Sequence, residues 1–139
     1  MFNIPRSLRT TQSINGYSDE GQARKDAMHK DGAKFLRQLA KELGLDKLDY
    51  SIRSNVAGIA VSGEVTLHAD HLYVQMSESF HGNHLHLLYR NCKSRTDYTG
   101  GQNHYINMTE LASEEAQERF LKNCRSLMER AREAAAASA

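Results

Sequence analysis

"LDYSIRSNVAGIAVSGEVTLHADHLYVQMS", residues 48 to 77, decides the fold. Within "LDYSIRS", Leu48, Tyr50 and Ile52 alternate with Asp49, Ser51 and Arg53. Within "IAVSGEVTL", Ile59, Val61, Val65 and Leu67 alternate with Ala60, Ser62, Glu64 and Thr66. Within "HLYVQMS", Leu72, Val74 and Met76 share one face. A period of two is the signature of a strand with one face buried. The connections "SNVAG" and "HAD" are short enough for antiparallel hairpins. Gly63, inside the second of these strands, marks a bulge or a close approach of backbone.

Working outward, "SESFHGNH" (77–84) reads as a loop, and "LHLLYRN" (85–91) as a more central strand because it is apolar on both faces. "HYINM" (104–108) returns as a fifth strand. Two helical patterns flank this meander. From 19 to 43, capped by Ser18 or Asp19, Met28, Phe35, Leu36, Leu39 and Leu43 fall on one face, and Gly44 suits the left-handed residue after a helix. Gly32 weakens the middle of this helix by about 1 kcal/mol relative to alanine. From 113 to 136, Ala116, Phe120, Cys124, Leu127 and Ala131 form a stripe with Leu121 and Met128 beside it. Glu114, Glu115 and Glu118 suit the positive end of its dipole, and Arg125, Arg130 and Arg132 the negative end.

The expected fold is therefore α+β: an antiparallel meander of four to five strands packed against two long helices, in one domain over 1–139. Residues 1–17 read as an irregular arm packed locally through Phe2 and Ile4, and 133–139 as a frayed tail. The sheet face away from the helices carries Ser51, Arg53, Ser62, Glu64, Thr66 and Gln75, a surface that is either solvated or used for docking.

Composition narrows the function classes. The 139-residue chain is 40% apolar and 25% charged, with a formal net charge of +1, so no global field selects nucleic acid or an anionic membrane. Two cysteines, Cys92 and Cys124, make no disulfide framework. The start "MFNIPRSLRTTQ" has no apolar signal region, and no run of about 18 apolar residues is present. The expected setting is a reducing cytoplasm, with no membrane association.

Six of the seven histidines, His68, His71, His81, His84, His86 and His104, lie between 68 and 104. Two H-x2-H spacings, "HADH" and "HGNH", resemble metal-ligand pairs, but no C-x-x-C accompanies them and neither lies on a helix. The expectation is solvated turn histidines, no metal and no cofactor. "CKSRTDYTGGQNHY" (92–105) is the densest polar stretch. Cys92 with His104 and Asp97 has the types of a nucleophile, base and orienting group. Against that, Cys92 ends a strand, away from any helix N-terminus that would activate it. Arg90, Lys93, Arg95 and Lys122, with His104 as acid or base, would suit phosphodiester chemistry, although no paired carboxylates for a metal accompany them. Gly100-Gly101 has no phosphate-loop context and reads as the tip of a hairpin, with 99–102 reversing the chain. That places Arg95, Asp97, Tyr98, Asn103 and His104 near one another. Tyr and Arg are what binding hot spots favour, so Arg90, Lys93, Arg95, Asp97, Tyr98, Asn103, His104 and Tyr105 are the expected recognition surface.

The run "AVSGEVTLHADHLYVQMS" followed by "LLYRNCKSRTDYTGGQNHY", covering about 57 to 105, resembles small uncharacterised accessory proteins of bacteriophages and plasmids. The resemblance carries no catalytic residue. It implies a bacterial cytoplasmic setting and action by binding a host component, since such proteins include inhibitors of host defence systems. The expected function is binding of a host protein, with nucleic acid as a co-ligand. The alternatives are an enzyme acting on a nucleotide or phosphodiester through Arg90, Arg95, Asp97 and His104, and a structural protein that self-assembles by an edge strand. Leu121 and Met128 give the second helix more apolar width than one contact needs, which points to a homodimer.

Overall fold

The computed structural model describes residues 2–80 and 84–138. Five strands, β1 (Tyr50–Asn55), β2 (Glu64–Ala69), β3 (Tyr73–Glu78), β4 (Leu85–Arg90) and β5 (His104–Asn107), pair antiparallel in the order β1-β2-β3-β4-β5. Every strand lies beside its neighbour in the chain, as a meander requires. Two helices, α1 (Asp19–Glu42) and α2 (Glu114–Ser138), cover one face of this sheet. The α+β expectation holds.

The register sorts the strand residues cleanly. Ile52, Leu67, Val74 and Tyr89 are consecutive cross-strand partners, as are Val65, Met76 and Leu87. These side chains face the helices and, apart from the half-buried Ile52, are buried in one core with Leu36, Leu39, Phe120 and Leu127. The helix ends behave as their sequences dictate. Ser18 accepts from the Gly21 amide (3.0 Å) and Ser113 from the Ala116 amide (3.2 Å). Gly44 adopts φ +77° just past α1. Gly32 has a reason beyond propensity: a Cβ there would lie 3.0 Å from Met76 Sδ, so glycine lets α1 settle onto β2 and β3.

Several boundaries move. The arm 1–17 is part of the core, since Phe2, Ile4, Leu8 and Ile14 are all buried. Its start is held by Gln117, whose Oε1 accepts from the Phe2 amide (3.0 Å) while Nε2 donates to the Phe2 carbonyl (3.2 Å). The tail is helical through Ser138. Leu121 and Met128 are buried within the chain itself, so the apolar width that pointed to a homodimer is used internally. Strand β4 is buried on its helix side and half-buried on the other, one place from the edge.

Leu48, expected to face inward, is 87% exposed, because residues 47–49 form a 3-10 turn and pairing begins only at Tyr50. Ile59 and Val61, expected on the core face, are exposed, and Ser62, expected on the polar face, is buried. Residues 56–63 are a loop because Gly63 takes φ +70° and ends the extended run. The close approach expected at Gly63 is real: a Cβ there would overlap the Asn55 carbonyl oxygen. "SNVAG" and "HAD" are accordingly only partly turns, since Ser54 and Asn55 end β1 and His68 and Ala69 end β2.

Candidate functional site: the open sheet face and the strap across it

The sheet face away from the helices is built by the other half of each strand. Ser51, His68, Tyr73 and Arg90 form one cross-strand row, and Arg53, Thr66, Gln75, Leu88 and Tyr105 form the next. Onto this face folds the β4–β5 connection, residues 91–103. Its turn is at Arg95 and Thr96, between Ser94 and Asp97, which exchange both backbone hydrogen bonds (3.4 and 3.2 Å). Local side chains set this turn. Ser94 Oγ accepts from the Thr96 and Asp97 amides, and Asp97 Oδ1 accepts from the Thr99 amide (3.0 Å) and hydroxyl (2.6 Å). Those Thr99 hydrogen bonds hold the Asp97 carboxyl below its ordinary range.

The Gly-Gly pair is therefore not the tip. Gly100 takes φ +109° beside Lys93, and a Cβ on Gly101 would overlap the Asn91 carbonyl. The two glycines let the returning chain press against the outgoing one, while Asn91 Nδ2 anchors the base of the strap to the Leu127 carbonyl (3.1 Å).

The strap reaches across the sheet to the opposite edge. Arg95 Nη1 donates to the Leu48 carbonyl and Nη2 to Ser51 Oγ (2.7 Å). His68 Nε2 donates to the Ser94 carbonyl (2.9 Å), because a carbonyl can only accept. Tyr98 then stacks on His68 (4.4 Å between centroids) and meets Tyr73 edge-on (5.4 Å). The Arg90 guanidinium lies over the Tyr73 ring, 5.3 Å from its centre. Burial, with Glu64 adding to it, raises the Tyr73 hydroxyl above its ordinary value. On the β5 side His86 and Tyr105 pack with centroids 5.3 Å apart. Burial and then His84 lower the His86 imidazole below its ordinary value. A shallow hollow of about 170 Å³ runs between Tyr98, Tyr73 and His68 on one side and Arg53, Asn55 and Glu64 on the other.

The expected site residues divide between the two faces. Arg90, Arg95, Asp97, Tyr98 and Tyr105 belong to the open face and its strap. His104 is the cross-strand partner of Tyr89 and packs on it (5.4 Å), on the helix side of the sheet with Asn123 and Arg130. Asn103 is exposed just before β5, Lys93 is exposed at the base of the strap, and Lys122 lies on α2. The set Arg90, Arg95, Asp97 and His104 is thus not assembled around any point, and neither is the phosphodiester set.

The Cys92-Asp97-His104 arrangement is absent as well. Cys92 is buried with Sγ aimed at the Ala69 carbonyl (3.6 Å), and burial pushes its thiol up to about 11. Burial pushes Cys124 up to about 12. Native protein at pH 8 should therefore react with a thiol-specific disulfide reagent far more slowly than an exposed cysteine, and release two equivalents per chain only after unfolding. One fast equivalent in the native state would contradict this.

Among the described residues no three His, Cys, Asp or Glu side chains are grouped to hold a metal ion. The "HGNH" pair begins at His81, outside those residues, while His68 and His71 are turned to the carbonyls of Ser94 and Cys92. No described helix is long and apolar enough to cross a membrane. The sequence reading placed Arg53 on this face with Thr66 and missed His68 and Tyr73 as members of it. Their signal was parity: with β2 and β3 paired through the "ADHL" turn, they share the face of Thr66. Protein-family models, curated proteins and solved structures give no match to the chain.

Proposed function

We propose that the protein acts by binding another protein, through the open face of its sheet and the strap that lies on it. The observation that carries this reading is the Tyr98-His68-Tyr73-Arg90 row, a set of packed aromatic and guanidinium groups on the sheet face that the helices leave open. Tyr and Arg on a rigid surface lose little entropy on binding and dominate interface energetics. Tyr98 keeps 43% of its surface exposed although it is fixed on two rings, so its ordering precedes any partner. A shallow hollow and a divided set of titratable groups favour recognition over catalysis. The resemblance to accessory proteins of bacteriophages and plasmids directs the search to bacterial cytoplasmic proteins, defence components among them.

The test is retention of a protein from nuclease-treated bacterial lysate, followed by affinity measurement on the purified partner. Tyr98→Ala and Arg53→Ala should each weaken that affinity by roughly thirtyfold, about 2 kcal/mol. Thermal midpoints should stay close to the parent's. Affinities of both variants equal to the parent's, or retention that disappears with nuclease, would overturn the reading.

A further inference from the structure

The loop at residues 56–63 spends buried polar groups to hold apolar ones in water. Val56, Ile59 and Val61 are half or more exposed. The backbone that carries them is tied down from α1. Lys25, only 4% exposed, donates from Nζ to the Gly58 carbonyl (2.9 Å). One turn on, His29 donates from Nε2 to the Ser62 carbonyl (2.8 Å), with Nδ1 against Ser54 Oγ (2.6 Å). The Gly16 amide donates to the Ile59 carbonyl (2.7 Å), which brings exposed Tyr17 beside the loop. Burying a lysine amino group and an imidazole costs free energy that a short polar loop would avoid. What they secure is a fixed set of exposed β-branched side chains, and fixed apolar side chains in water mark an interaction site.

The surroundings say what kind of partner fits. Asp19 and Glu20 open α1 just past Tyr17 and the cap Ser18. Asp26 accepts from Gln22 (2.8 Å), whose side chain lies against Gly16, and Glu64 closes the loop, accepting from Asn55 (3.3 Å). On the α1 side Lys25 is turned to Gly58 and Arg24 to the Ser13 carbonyl (3.2 Å), while exposed Arg53 lies with Glu64 at the other end of the loop. An apolar centre with an acidic rim repels phosphate, and repels a two-fold copy of itself.

We propose that this loop docks a basic amphipathic segment of a partner protein, apolar side chains on Ile59 and Val61 and lysines or arginines against the acidic rim. The proposal rests on the reading that the protein works by binding protein, and adds a second, separable contact. The probe is a fluorescein-labelled helical peptide of leucine and lysine, compared by anisotropy with its leucine–glutamate counterpart. The basic peptide should bind saturably at least tenfold more tightly. Ile59→Ser with Val61→Ser should reduce its affinity tenfold or more, and Asp19→Asn with Asp26→Asn should weaken it and flatten its salt dependence. Tyr98→Ala should bind this peptide like the parent, so loss of one contact is distinguishable from loss of the other. Equal binding of both peptides, or no effect of the serine substitutions, overturns the proposal. So does a dimer in light scattering that the serine substitutions convert to monomer, because the occupant is then a second copy.

Discussion

Phe120→Ala should cost the fold about 3–5 kcal/mol, the largest effect expected of any single side chain here. Phe120 is fully buried and stands edge-on to Tyr89 (5.0 Å between centroids), where α2 meets β4. Its removal loses the transfer free energy of the ring and leaves a cavity that neither a helix backbone nor a paired strand can collapse into. The ring contact with Tyr89 goes too, worth about 1 kcal/mol beyond area. Urea unfolding of the two proteins at one pH measures the difference. A loss below about 1.5 kcal/mol would mean that α2 is not pinned to the sheet at this point.

Gly63→Ala and Gly44→Ala form a second, paired expectation. The two glycines have nearly the same conformation, φ +70° and +77°, so an alanine meets the same backbone penalty at each, about 1 kcal/mol. They differ in space. Nothing lies within 4 Å of a Cβ at Gly44, whereas at Gly63 it would overlap the Asn55 carbonyl and come within 2.9 Å of the Val56 carbonyl. Gly44→Ala should therefore cost about 1 kcal/mol and Gly63→Ala roughly 3 kcal/mol or more, because the end of β1 must move. Thermal or urea unfolding of both reads the difference directly. Equal costs would show that the loop gives way freely, and would weaken the claim that it is held rigid.

Much of the fold was legible because its signals are local. Helical spacing and the caps Ser18 and Gly44 located α1 to within a residue; period-two alternation marked the first three strands, and the doubly apolar 85–91 and the returning 104–108 the other two. "IAVSGEV" misled because a strand and a tethered loop can carry the same alternation. What turns Ile59 and Val61 outward is the pair Lys25 and His29, more than 30 residues earlier in the chain, and no local pattern announces that. The site was legible in part for the same reason. Tyr98, Arg95 and Arg90 stood out by residue type, but the glycine pair drew the turn away from its true place. Ser94 and Asp97, both side chains that bond their own backbone, were the available signal for a turn at Arg95 and Thr96. That Arg95 would reach Leu48 follows only from the assembled sheet.

The strap also bears on how the molecule is built up in time. Each strand pairing joins chain neighbours, so the meander can zip from one hairpin to the next at small cost in loop closure. The Arg95 contacts join residues 44 and 47 positions apart and have nothing to bind until β1 is already in place beside β2. They reward a nearly finished sheet and do little for an unfinished one. Interactions of that kind lengthen the lifetime of the folded state more than they hasten its formation. The loop that carries Tyr98 is thus also a latch on the sheet's far edge, slowing the escape of β1.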